Sequence, residues 1–115
     1  MRITTIGIDF DITPPVIRQA VQAVDRSLTR YEPDIEQVVV RLGQRSDNRA
    51  TPRNQLCSLH VYLPEKTIRI EESDDDLFRA LKSAIDRAED AVAEHVEEKR
   101  QRRRELLSDS PSDHV

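Results

Sequence analysis

The 115-residue chain is long enough for one domain with one core, but 35 % of it is charged and only 3 % aromatic, so that core has to be aliphatic and modest. A net charge of −4 excludes binding to nucleic acid by bulk charge alone, although a basic patch on an acidic protein is compatible with it. The single cysteine, Cys57, excludes an internal disulfide and suits a reducing compartment, and no stretch is apolar over the length a bilayer requires.

Residues 2–10 are rich in Ile and Thr and predict a first strand. Its alternation is imperfect, with Ile6, Ile8 and Phe10 on one parity and Ile3 on the other, so Gly7 is expected to mark a bulge that switches the face. Thr13-Pro14-Pro15 predicts a helix start, because Thr caps and Pro is tolerated where N–H groups are unpaired anyway. Val16, Ile17, Ala20, Val21, Val24 and Leu28 follow at helical spacing, and the helix is expected to end near Tyr31, ahead of Pro33. Residues 35–42 predict a second strand with Val38, Val40 and Leu42 on one face. Residues 43–54 form a polar stretch carrying Arg45, Arg49 and Arg53.

Residues 56–63 predict a third strand, Cys57, Leu59, Val61 and Leu63 pointing one way and Ser58, His60 and Tyr62 the other. Pro64-Glu65-Lys66 is short enough for a hairpin turn, after which residues 67–72 pair back with Ile68 and Ile70 inward. From Ser73 to about Leu107 the chain reads as one long amphipathic helix. Ser73 with Asp76 suggests a capping box, and Leu77, Leu81, Ala84, Ile85, Ala88, Val92 and Val96 form its apolar stripe. Cations at residues 99–104 complement the negative end of the helix dipole. The chain therefore divides into a domain over 1–107 and a small polar tail over 108–115, expected to be disordered.

The order β-α-β-β-β-α implies an α+β fold: a four-stranded mixed sheet, its first two strands parallel and its last three an antiparallel meander. Both helices pack on one face. The other face carries Arg41, Ser58, His60, Tyr62, Thr67 and Arg69, polar enough to meet water or a ligand.

No residue pattern asks for catalysis. Cys57 alternates with Leu59 and Val61 and reads as a buried small hydrophobe. His60 has no second ligand at metal-binding spacing, His95 belongs to the helix and His114 to the tail. Two glycines cannot build a phosphate-cradling loop. No enzyme, cofactor, small-molecule substrate or membrane partner is expected, and with no apolar leader at its start the chain is expected to be soluble and cytoplasmic.

Several stretches carry a resemblance: MRITTIGIDFDIT with Gly7 and Ile12-Thr13 ahead of the first helix, IEQVVVRL, LHV at 59–61, and DLFRALKSAIDR at 76–87 with its aromatic and its Asp86-Arg87 pair. In this order they resemble the ribosome hibernation-promoting factor and ribosome-associated inhibitor (sigma-54 modulation protein) family, in a diverged short form without the second, dimerising domain. The resemblance covers about residues 1–105. It implies a fold like that of double-stranded-RNA-binding domains, and a factor that binds ribosomal RNA of the small subunit and inhibits translation in stationary phase or stress. Structured RNA is read largely by shape and phosphate contacts, so cations on a rigid surface suffice. The residues here that match such a role are Arg18, Arg26 and Arg30 on the first helix, Arg79, Lys82 and Arg87 on the second, and Lys99 and Arg100 toward its end. Asp86 is expected beside Arg87.

Charge patterns of this kind are also what an ordinary solvated helix face looks like. Asp90, Glu94, Glu97 and Glu98 stand where the relatives place cations, and such acids repel phosphate. The other reading is therefore a diverged member acting as a protein–protein interaction module without ribosome binding, with self-association left open.

Overall fold

A computed structural model describes residues 1–8, 12–44 and 55–108. Along the chain these form β1 (Arg2–Ile8), α1 (Pro14–Leu28), a 3-10 turn (Thr29–Asp34), β2 (Gln37–Gln44), β3 (Gln55–Tyr62), β4 (Thr67–Asp74) and α2 (Leu77–Ser108). The strands make one sheet in the order β1-β2-β3-β4, β1 and β2 parallel and the other pairs antiparallel. The α+β fold is thus the one the element order implies.

The start of α1 follows from its prolines. Pro14 and Pro15 occupy the first turn, where no intrahelical partner exists for their missing N–H. Thr13 sits at the cap position with extended backbone, and its carbonyl accepts the Ile17 N–H at 3.1 Å. Its side chain makes no capping bond, so position is conferred by backbone and ring geometry rather than by the hydroxyl. At the other end Pro33 can donate no hydrogen bond and disfavours α geometry before it, and the chain tightens into the 3-10 turn after Leu28 rather than continuing as α-helix to Tyr31.

The sheet register fixes the two faces. Ile3–Val38–Val61–Ile68 and Thr5–Val40–Leu59–Ile70 form successive rows toward the helices. Val38, Val40, Leu59 and Val61 are completely buried, against Ala20, Val24 and Leu28 of α1 and Ala84, Ala88 and Val92 of α2. Each such Leu or Val contributes roughly 1.5–3 kcal/mol by leaving water. Cys57 sits in this layer, and burial, then the charge of Glu72, pushes its thiol up to about 12. It is inert packing, as the alternation predicts.

Three expectations are corrected. Gly7 makes no bulge: β1 pairs with β2 in unbroken register, so Ile3 lies inward while Ile6 stays on the uncovered face, 41 % exposed. The fourth strand does not stop at Glu72 but runs through Ser73 and Asp74, opposite Leu56 and Gln55. Consequently Ser73 is no helix cap. Asp76 is: its carboxylate accepts the N–H groups of Phe78 at 2.8 Å and Arg79 at 3.3 Å, and Asp74 in turn accepts the Asp76 N–H at 3.0 Å. The strand expected to reach Phe10, the arginines at 45, 49 and 53, and the tail beyond Ser108 fall, at residues 9–11, 45–54 and 109–115, outside the described residues.

Candidate nucleic-acid interface

The eight cations that the sequence singles out fall into two groups. On α1 the buried positions Ala20, Val24 and Leu28 recur every fourth residue, and this spacing leaves Arg18, Gln22 and Arg26 on the outer side. Arg30 lies beyond α1 in the 3-10 turn, its guanidinium 5.8 Å from the centre of the Tyr31 ring. None of Arg18, Arg26 and Arg30 forms an ion pair among the described residues.

On α2 the environment is different. Arg79 meets Asp75 at 2.7 Å and Asp74 at 3.3 Å, and the hydrogen bond it donates to Asp75, then the charge of Asp74, raises its pKa further. Lys82 meets Asp86 at 3.2 Å. Arg87 pairs with Glu72 on β4, not with Asp86 as expected from their adjacency. Neighbours in a helix point about 100° apart, whereas residues four apart share a face. Lys99 reaches Glu65 of the β3–β4 turn at 2.9 Å, while Arg100 is exposed and unpaired among the described residues. Such exposed pairs contribute little to stability. Their effect here is electrostatic: a phosphate approaching Arg79, Lys82, Arg87 or Lys99 has to displace a carboxylate first.

The two helices are drawn together at one place. A groove between them has Ala23, Leu81 and Ile85 along it, Arg26 on one bank and Lys82 with Asp86 on the other, and Phe78 at 40 % exposure. The sequence reading missed a further group. His95 is buried on the apolar side of α2 and its Nε2 donates to Glu65 Oε1 at 3.0 Å. With His95 and Lys99 both bonded to it, the Glu65 carboxyl is held down at about 2. The signal available was slight: His95 abuts Val96 and lies three residues after Val92 on the stripe.

Comparison with known proteins follows the fold closely. A family profile described as sigma 54 modulation protein / S30EA ribosomal protein matches residues 3–101. Among solved structures, the N-terminal domain of Protein Y from Thermus thermophilus is 30 % identical, with a TM-score of 0.64, covering 80 % of this chain and 96 % of that one. A ribosomal subunit interface protein from Coxiella burnetii shares the fold at 17 % identity and a TM-score of 0.63, over 83 % of this chain and 97 % of its own. Comparison with curated proteins returns no match. With a profile that spans nearly the whole described domain, the chain belongs to the sigma 54 modulation protein / S30EA ribosomal protein family.

Proposed function

We propose that this domain acts in the cytoplasm, binds ribosomal RNA of the small subunit and holds ribosomes idle in stationary phase or stress. The observation that carries the reading is the set of arginines on α1 and the turn after it, Arg18 and Arg26 and then Arg30, which form no ion pair among the described residues, in a chain of this family. Arg18, Arg26, Arg30 and Arg100 supply the first phosphate contacts. Arg79, Lys82, Arg87 and Lys99 join by exchanging a carboxylate for a phosphate oxygen. Binding by this route is a matter of released counterions and shape, and needs no catalytic group.

Sedimentation through a sucrose gradient tests it. The protein should travel with purified ribosomes at modest salt and lower translation in a reconstituted system, and both properties should weaken on Arg26→Glu. Protein left at the top of the gradient with ribosomes from every growth phase overturns the reading.

The second reading, a protein-binding module without ribosome contact, is favoured by one observation: the cations of α2 from Arg79 to Lys99 are largely engaged with Asp74, Asp75, Asp86, Glu72 and Glu65. In that case Arg26→Glu leaves all binding unchanged.

A further inference from the structure

The face of the sheet away from the helices has a charge pattern that neither helix shares. The register places Arg2–Gln37–Tyr62–Thr67, Thr4–Val39–His60–Arg69 and Ile6–Arg41–Ser58–Glu71 in adjacent rows on it. Arg2, Arg41 and Arg69 are exposed and form no ion pair among the described residues; Glu71 is the one acid among the described residues of this face. Between these cations stand two rings. His60 and Tyr62 are 6.4 Å apart centre to centre, at 76° to each other, and both are half-buried, so each keeps part of its surface open.

The arginines bear on the rings. The His60 pKa is lowered first by partial burial, then by the charges of Arg41 and Arg69. Two guanidiniums on different strands therefore act on one imidazole from either side. Adjacent strands lie about 4.8 Å apart, and alternate residues on one strand about 7 Å apart. Cations at that mesh around aromatic rings suit a flexible, phosphate-linked chain whose bases can turn inward and stack.

We propose that this open sheet face is a second binding surface, for single-stranded RNA, with bases against Tyr62 and His60 and phosphates on Arg2, Arg41 and Arg69. It stands apart from the helix-side contacts with the small subunit. A double-stranded segment does not fit the role, because its bases are already stacked and cannot reach the rings. An acidic peptide would meet the arginines but would leave the rings unused.

The test is fluorescence anisotropy with labelled hexaadenylate at low salt, in the absence of ribosomes. Wild type should bind, and Arg41→Glu with Arg69→Glu should abolish binding. Arg41→Gln alone should lower the steepness of the salt dependence by roughly 0.7 in the log–log slope. Tyr62→Ala should weaken binding on the order of tenfold while Tyr62→Phe retains it, which separates stacking from charge and keeps the test informative if the alanine variant folds poorly. Arg26→Glu should leave hexaadenylate binding unchanged, even where it weakens ribosome sedimentation. Failure of wild type to bind, equal losses on Arg26→Glu and Arg69→Glu, or a hexaglutamate peptide competing as well as the RNA each overturns the proposal. Ribosome sedimentation by wild type reports separately on the helix-side reading.

Discussion

Two helices lie side by side on one sheet, and the same kinds of cation behave differently on each. On α1 the arginines at 18 and 26 face outward and form no ion pair among the described residues; on α2 the cations at 79, 82, 87 and 99 are each met by a carboxylate. The difference comes from what surrounds each helix. α2 runs beside β4 and the β3–β4 turn, which bring Glu72, Asp74 and Glu65 to it, whereas α1 packs along β1, which has no acid from Arg2 to Ile8. A count of surface cations is therefore a poor guide to how many a polyanion can use.

The largest effect comes from removing what both helices share. Leu59→Ala empties a completely buried position in the middle of the sheet and should cost roughly 2–5 kcal/mol in urea unfolding, abolishing the contrast by unfolding both sides together. Charge reversal sharpens it instead. Arg18→Glu with Arg26→Glu should weaken ribosome binding on the order of tenfold or more, with a shallower salt dependence, while Arg79→Glu with Arg87→Glu should cost severalfold less, as read by filter binding over a salt series.

Asp76→Ala probes α2 alone. It leaves the Phe78 and Arg79 N–H groups without their acceptor and should lower stability by about 1 kcal/mol in thermal or urea unfolding. The smallest effect is one of pH. The Glu65 carboxyl, held at about 2 by His95 and then Lys99, binds a proton less readily when folded than at its ordinary 4.5. Its contribution is complete above 4.5 and is lost as pH falls toward 2. Stability of the wild type should therefore decline over that window more than that of Glu65→Gln, and an acid titration followed by circular dichroism checks this.

Most of the fold was legible because it rests on local pattern. The alternation of Val38, Val40 and Leu42 and of Cys57, Leu59 and Val61 gave β2 and β3 with their inward faces, and the stripe from Leu77 to Val96 gave α2. What misled was also local. Ser73 and Asp74 have the composition of a helix cap and a turn, yet the β3 edge opposite them keeps them in the ladder and moves the cap to Asp76. In β1, Ile6 invited a bulge at Gly7, but an exposed isoleucine is cheaper than a broken parallel ladder. The site was legible in part. Lys82–Asp86 lies at the spacing where helix neighbours touch. The partners of Arg87 and Lys99, and the burial of His95 against Glu65, join residues far apart in sequence and needed the folded chain to appear.

The last buried residue of α2 is Val96, yet the helix continues through Ser108, with every residue from Arg100 to Leu107 exposed. At 1.5 Å per residue the stretch from Arg100 to Leu107 is a spar of about 12 Å in which no residue is buried. The amides of this segment should therefore trade protons for deuterium well before those over the sheet. Truncation after Lys99 should accordingly shorten the molecule's reach while leaving its melting point nearly where it was.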